Sequence, residues 1–243
     1  MSSSDHNEII IYTDGASKGN PGNGGWGALI STPDGKVVEL GGYADGASNN
    51  QMELTAIIKA LEILPTAAGS IVIITDSKYA IQGITSWVWG WQKNGWLTSS
   101  GQPVQNKGLW EALIKASAKQ KNIKWLHTPG HAGIPGNERV DRIASDFAEN
   151  IEVKLANGKS NYKFDVRKIP TSVELNKAKN NKSPNGTRKG KAWCYLSMID
   201  GDINSHKTWA DCEARIKGVS GARFKKALSK EEAESIRNQW LKM

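Results

Sequence analysis

Two short runs without a charge, Ile9-Ile10-Ile11-Tyr12-Thr13 and Ile71-Val72-Ile73-Ile74-Thr75, constrain this chain more than any other feature. Such runs offer water no polar face, so each reads as a buried strand in a sheet that helices must cover. Each run closes on an aspartate, Asp14 and Asp76, which puts a carboxylate at the end of a buried strand. Two further acids sit at helix starts. Glu53 falls in the first turn of the periodic stretch Met52–Leu61, and Asp141 in the first turns of a helix opening near Asn137. Helix N-termini favour negative charge.

The pattern between these acids gives an α/β fold. It predicts strand 8–14, a Gly-rich turn 15–25, strands near 26–32 and 36–44, and a helix from about 50 to 64. Three strands before the first helix imply an antiparallel meander. Strand 71–76, a short helix near 77–84, a Trp-rich segment 87–96, a helix near 106–119, strand 122–127, a Pro/Gly loop 128–136 and a helix from 137 follow. Strands that alternate with helices imply crossovers and a mixed sheet. Residues 1–150 are therefore expected as one domain and 151–190, polar and lysine-rich, as a flexible basic linker. Residues 191–243 are expected as a small α+β module, with strands at 192–196 and 222–226, a capped helix over 208–216, and a last helix opened by Ser229.

Charge is unevenly spread. Residues 1–150 carry 12 Lys+Arg against 14 Asp+Glu, and residues 151–243 carry 20 against 10, so the net of +8 belongs to the second part. A basic part of this kind suggests an acidic partner, most simply nucleic acid; a solubilising lysine-rich tail is the alternative. The first residues lack the basic and apolar regions of a signal peptide, and no apolar run reaches membrane-spanning length, so a soluble, cytoplasmic protein without membrane contact is expected. Cys194 and Cys212 are too few and isolated for a disulfide framework or zinc site, and read as reduced, partly buried thiols.

Four carboxylates brought together would repel one another, raising their pKa values at a cost in stability, unless a cation resolves the conflict. All-oxygen ligation selects hard ions, so two Mg²⁺, with Mn²⁺ as the alternative, are expected as cofactors. Taken singly, any one of these acids reads as a solvated strand or helix end. The joint pattern favours a metal site that can hold a phosphodiester, activate water and stabilise the leaving oxygen.

The runs Tyr12-Thr13-Asp14-Gly15-Ala16-Ser17-Lys18-Gly19-Asn20-Pro21-Gly22, Asn49-Asn50-Gln51-Met52-Glu53-Leu54, Thr75-Asp76-Ser77 and Gly130-His131-Ala132-Gly133-Ile134-Pro135-Gly136-Asn137-Glu138 resemble the type 1 ribonuclease H family over residues 8–150. The resemblance implies a ribonuclease H-like five-stranded mixed sheet in the order 3-2-1-4-5 with flanking helices. It also implies endonucleolytic hydrolysis of RNA paired to DNA, with 5′-phosphate and 3′-hydroxyl products. Asp14, Glu53, Asp76 and Asp141 match the family's metal-binding carboxylates, with Asp14 bridging both ions, and His131 matches its mobile catalytic histidine. Taken alone, a loop histidine is more often a surface residue.

By the same resemblance Asn20, Asn49 and Asn50 contact the nucleic-acid backbone and sugars, a role that Asn20-Pro21-Gly22 combines with forming a tight turn. Trp87, Trp89, Trp91 and Trp96 fall in the family's protruding handle, where Trp91 and Trp96 are the candidates for contact with DNA and others belong to the core. Between Ser86 and Asn106 the handle carries Lys93 as its sole cation. A weakly charged handle on a net-negative domain should hold hybrid poorly.

Tyr195, the run Thr208-Trp209-Ala210-Asp211-Cys212-Glu213, then Gly221-Ala222-Arg223-Phe224-Lys225-Lys226, resemble the hybrid-binding domain of eukaryotic type 1 ribonucleases H and related viroplasmin-like modules, over about residues 190–242. There the module usually precedes the catalytic domain, so its place here is a departure, and Asp200 and Asn204 stand where glycines are usual between the first strands. Tyr195, Trp209 and Phe224 would offer faces to sugars, and Arg223, Lys225 and Lys226 would offer cations to phosphates. Trp209 and Phe224 as the module's own core is the alternative. The partner expected is RNA–DNA hybrid, bound by a monomer whose tether holds the duplex near the active site. Against this stand an inactive hybrid-binding protein, disfavoured by the retained acids, and a strand-transfer enzyme of the same broad fold, disfavoured by the Glu53 and His131 motifs.

Overall fold

The computed structural model describes residues 7–130, 133–159, 162–180, 192–199, 201–217, 219 and 222–240, divided between a unit of residues 1–182 and a unit of residues 183–243. At the centre of the first unit stands β1 (Glu8–Gly19), paired parallel with β4 (Ser70–Thr75) and antiparallel with β2 (Gly22–Ser31). With β3 (Val37–Ala47), β5 (Asn122–His127) and the short β6 (Asn157–Gly158), the sheet runs β5-β4-β1-β2-β3-β6. The first five strands keep the expected 3-2-1-4-5 order, and β6 adds a sixth at the β3 edge.

Strand alternation divides β1 between two cores. Ile9 and Ile11 face α1 (Asn49–Glu62) and α4 (Lys107–Ala118), where Leu54, Ile57, Leu61, Trp110 and Leu113 are buried. Ile10 and Tyr12 face the other way, with Leu29, Val72, Ile74 and Val140 of α5 (Pro135–Ala148). The Gly-rich stretch expected as a turn over 15–25 is strand except at its tip, since β1 continues to Gly19 and β2 begins at Gly22. Its glycines serve close approach: a Cβ on Gly15 would lie 2.2 Å from the Glu53 nitrogen, and one on Gly25 2.1 Å from the Ala144 oxygen, so both helices press onto bare backbone.

The second core overturns the expected linker. Residues 151–180 pack onto the first unit, where Tyr162, Val166, Ile169 and Leu175 cover the sheet face beyond α5. Glu39 anchors them: its buried carboxylate accepts two bonds from Arg139, at 2.6 and 2.8 Å, one from the Ala156 N–H at 2.9 Å and one from the Tyr162 hydroxyl. Burial pushes this carboxyl upward, but the Arg139, Tyr162 and Ala156 donors outweigh it and hold the pKa below the ordinary value. Arg167 donates to the Ser31 and Glu8 carbonyls, and the Tyr12 hydroxyl donates to the Lys168 carbonyl at 2.6 Å. The apolar anchors are three to six residues apart among lysines, so the composition reads as linker while the spacing suffices to cover a sheet. Residues 181–191 lie outside the described residues.

This boundary also corrects the charge argument. Residues 151–182 bring 8 Lys+Arg and 3 Asp+Glu to the first unit, which turns its net charge from −2 to +3 and leaves +5 for residues 183–243.

In the second unit β7 (Cys194–Ile199), β8 (Asp202–His206) and β9 (Arg223–Ala227) form a sheet in the order β8-β7-β9. β8 is a strand that the sequence reading left unassigned. Gly201, at φ +84°, takes the left-handed conformation where the chain reverses into it. The helix of Trp209–Ile216 is capped by Thr208, whose hydroxyl accepts from the Asp211 N–H at 3.2 Å. Cys194, Leu196 and Ala227 pack against Ala233 and Ile236 of the helix Lys230–Trp240. Both cysteines are free and buried, and no helix among the described residues is long and apolar enough to cross a membrane.

Candidate active site and nucleic-acid surfaces

Parallel pairing between β1 and β4 stops at Thr13 and Thr75, and the next residue on each strand is an acid. Asp14 stays in β1, which runs on as a ribbon with β2, while Asp76 stands in the turn after β4. The crevice that opens where a parallel pair separates is the usual ligand position in open α/β sheets. Glu53 and Asp141 reach it from α1 and α5, one and two residues further into their helices than the sequence suggests, because those helices begin at Asn49 and Pro135. Asp14, Glu53, Asp76 and Asp141 line one cavity of about 330 Å³, with Lys18, Asn49 and Ser145 also in its wall.

Neighbours hold these carboxylates in place. The Gly15 N–H donates to Asp14 at 2.7 Å, and Glu53 accepts from the Asn49 amide at 2.9 Å and from the Ser77 hydroxyl. A Cβ on Gly130 would lie 2.4 Å from an Asp76 oxygen, so the loop after β5 passes close against that carboxylate, and a side chain there would have to turn it aside. Burial, then the charges of Asp76 and Asp141, push Asp14 up to about 9, against the pull of the Gly15 N–H. Burial likewise raises Glu53 to about 7, with Asp76 adding to it and the Ser77 and Asn49 donors opposing it. A cavity of mutually repelling oxygen donors suits a hard divalent cation, whose binding would displace these protons. Among the described residues no three His, Cys, Asp or Glu side chains converge tightly enough to cage an ion alone.

Other expected site residues fall in different places. Asn20 is exposed at the β1–β2 turn, and Asn49 and Asn50 are exposed at the start of α1, where the Asn49 amide also donates to Glu53. His131 lies outside the described residues. The handle consists of α2 (Lys78–Gln82), a π-helical turn (Gly83–Trp87) and α3 (Val88–Lys93). Trp91, expected at the nucleic-acid surface, is half-buried between Trp87 and Trp110, with ring centroids 5.7 and 5.6 Å away. Trp96 is half-buried too, with the Lys107 ammonium 5.8 Å from its ring centre. Indole rings bury large apolar area, so both lean on the core and present only part of themselves, while Trp89 is 57% exposed.

In the second unit Tyr195, Trp209 and Phe224 form an aromatic row, with ring centroids 5.7 and 5.2 Å apart. They are not the core: Phe224 is 56% exposed and the buried cluster consists of other side chains. Lys226 lies opposite Tyr195 and Phe224 opposite Ser197, so these share a face, and alternation turns Arg223 and Lys225 to the other one. The three cations grouped by sequence therefore divide between two faces. Ser77, Lys18 and Ser145 went unassigned in the sequence; Ser77 adjoins Asp76, which was its only signal.

The family described as RNase H matches residues 6–149, and the domain described as Ribonuclease H1 N-terminal domain matches residues 206–235. The chain is similar to Ribonuclease H of Novosphingobium aromaticivorans, 49% identical over 140 residues, which is 58% of this chain and 96% of that protein. It is also similar to Ribonuclease H of Alcanivorax borkumensis, 50% identical over 146 residues, or 60% of this chain and 95% of that one. A similar solved structure is LC9-RNase H1, described as a type 1 RNase H with the type 2 active-site motif, with TM-score 0.53 and 26% identity over 62% of this chain and 77% of that chain.

Proposed function

Because the chain belongs to the ribonuclease H family, nucleases that hydrolyse phosphodiester bonds, we propose that it is an Mg²⁺-dependent endonuclease that cuts the RNA strand of RNA–DNA hybrids, leaving 5′-phosphate and 3′-hydroxyl ends. The observation that carries this reading is the single cavity lined by Asp14, Glu53, Asp76 and Asp141. Asp14, the most buried of them at 7% exposure, would be the central metal ligand; Glu53 and Asp76 would hold metal beside the scissile phosphate, and Asp141 would complete the set from its outer side. Mg²⁺ keeps several waters and takes few protein ligands, so carboxylates that line an open cavity suffice to hold it. When bound, the ions would lower the pKa of an attacking water and offset charge on the phosphate oxygens. Ser77 and Asn49 keep Glu53 turned toward the cavity, and the Gly15 N–H does the same for Asp14. His131 would assist proton transfer or product release, and Asn20 and Asn50 would meet the backbone and sugars.

The direct test incubates labelled RNA–DNA hybrid, double-stranded RNA, double-stranded DNA and single strands with the protein in Mg²⁺, Mn²⁺ or EDTA. Cutting of the RNA strand of the hybrid in a divalent metal, and none in EDTA, is the expected result. Cleavage that survives EDTA would rule the mechanism out, and an intact hybrid under both metals would leave a binding protein as the better reading.

The second unit is proposed as a hybrid clamp that works through the aromatic row and Lys226. Trp209 and Phe224 are exposed, Tyr195 is half-buried, and the match to the Ribonuclease H1 N-terminal domain covers the first two. Deleting residues 183–243 should raise KM for hybrid by ~10–100-fold at physiological salt and leave kcat within a few-fold. The salt dependence should flatten as well, by nearly one log–log unit for every phosphate the clamp neutralises. An unchanged KM and salt slope in the truncated protein would sink the clamp.

A further inference from the structure

Lys18 places a cation in the wall of the carboxylate cavity, among acids that would hold metal. It lies four residues beyond Asp14 on β1, on the same face by strand alternation and about 13 Å further along. A phosphate held at the carboxylates would leave this lysine free to meet another part of the same backbone. Its ammonium pairs with the carboxylate of Glu149, just beyond the end of α5. Both side chains are half exposed, and an ion pair of this kind contributes little, about 0–1 kcal/mol, so a better anion can displace it.

We infer that Lys18 is a phosphate-contact residue: as hybrid enters, its ammonium leaves Glu149 for a backbone phosphate that flanks the scissile one. Glu149 holds the ammonium at the rim in the meantime, clear of Asp14 and Asp141. Such a contact answers a physical need. The cavity is acidic and repels the backbone that must approach it, and the handle between Ser86 and Asn106 supplies only Lys93. A lysine at the cavity rim offsets that repulsion without occupying metal-ligand space. The inference rests on the hybrid-nuclease reading and names a residue that reading does not include.

The test uses the full chain as Lys18→Gln, Glu149→Gln and the double variant, with cleavage of a short hybrid followed in Mg²⁺ over a range of salt. Lys18→Gln should raise KM by about 3–10-fold with kcat within about twofold, and flatten the log KM against log salt slope by nearly one unit. Glu149→Gln should lower KM by about twofold, and the double variant should behave like Lys18→Gln, because the freed lysine is then absent. Equilibrium binding of hybrid in an Asp14→Asn background should show the same order, and it reads Lys18 even if the parent chain leaves hybrid uncut; that outcome would overturn the nuclease reading and spare the phosphate contact. An unchanged KM and slope in Lys18→Gln, a loss confined to kcat, or a Glu149→Gln effect that persists in the double variant overturns the role of Lys18.

Discussion

Replacing Asp14 with Asn is expected to abolish hydrolysis, by on the order of 10³-fold or more, and to make the metal-free protein more stable. Asp14 is buried beside Asp76 and Asp141, and its carboxyl is raised to about 9 from an ordinary value of 3.8. Between those two pH values the unfolded chain carries the aspartate ionised and the folded chain keeps the proton. The folded state therefore binds more protons, so stability falls as pH rises through this window and levels off above about 9. An amide carries no such penalty. Its advantage should be small near pH 4 and largest near pH 9, where ~1–2 kcal/mol would raise the melting temperature by about 3–8 °C. Mg²⁺ should narrow or reverse the difference, because it stabilises the wild type more than the variant. Melting curves in EDTA and in Mg²⁺ across pH 4–9 check this. A variant that melts lower than wild type in EDTA at alkaline pH, or one that still cuts hybrid at a comparable rate, would remove Asp14 from the assigned position.

A chain ended after Asn150 is expected to melt ~10 °C or more below one ended after Lys182. The shorter chain loses Tyr162, Val166, Ile169 and Leu175 from the face formed by Ile10, Tyr12, Leu29, Val72 and Ile74. It also strips Glu39 of two of its donors, Ala156 N–H and the Tyr162 hydroxyl, and leaves the buried carboxylate with Arg139 alone. Uncovering four partly buried side chains costs about 1 kcal/mol each, and removing each hydrogen bond to a charge adds about 1.5–3 kcal/mol at most. Together these losses reach about 7–10 kcal/mol, a large share of the stability of an ordinary domain. Circular-dichroism melting of the two chains decides the matter: equal melting temperatures would mean that the segment lies on the sheet without supporting it. The comparison also governs how the second unit is dissected, since a cut at 150 would damage the first unit and a cut at 182 would not.

Local pattern and tertiary role coincide in several elements of this chain. The Ile9–Thr13 and Ile71–Thr75 runs could only be buried strands, and an acid directly after each had to stand at a strand end, so the central sheet and two of the four carboxylates were legible from periodicity. The helix capped by Thr208 was equally plain, because a cap is a local hydrogen bond. A residue whose role depends on a distant partner leaves no such local mark. Trp91 looked like a surface aromatic, and only Trp110 across the fold shows that its ring is half used for packing. Glu39 carries no signal in the local pattern of its strand, yet it is buried and satisfied from Arg139, Ala156 and Tyr162, up to 123 positions away.

By itself the sequence determined the α/β class and the acids that make the cavity, because apolar periodicity and motif spacing are properties of neighbouring residues, while the strand order of the main sheet came from the resemblance of its motifs to the ribonuclease H family. Only the tertiary structure decided where the first unit ends, on which faces of β9 its aromatic and basic side chains fall, and that Lys18 shares a wall with four carboxylates. Those outcomes turn on which sheet face remains uncovered and which strand pairs in which register, and such long-range closures leave no mark on local composition.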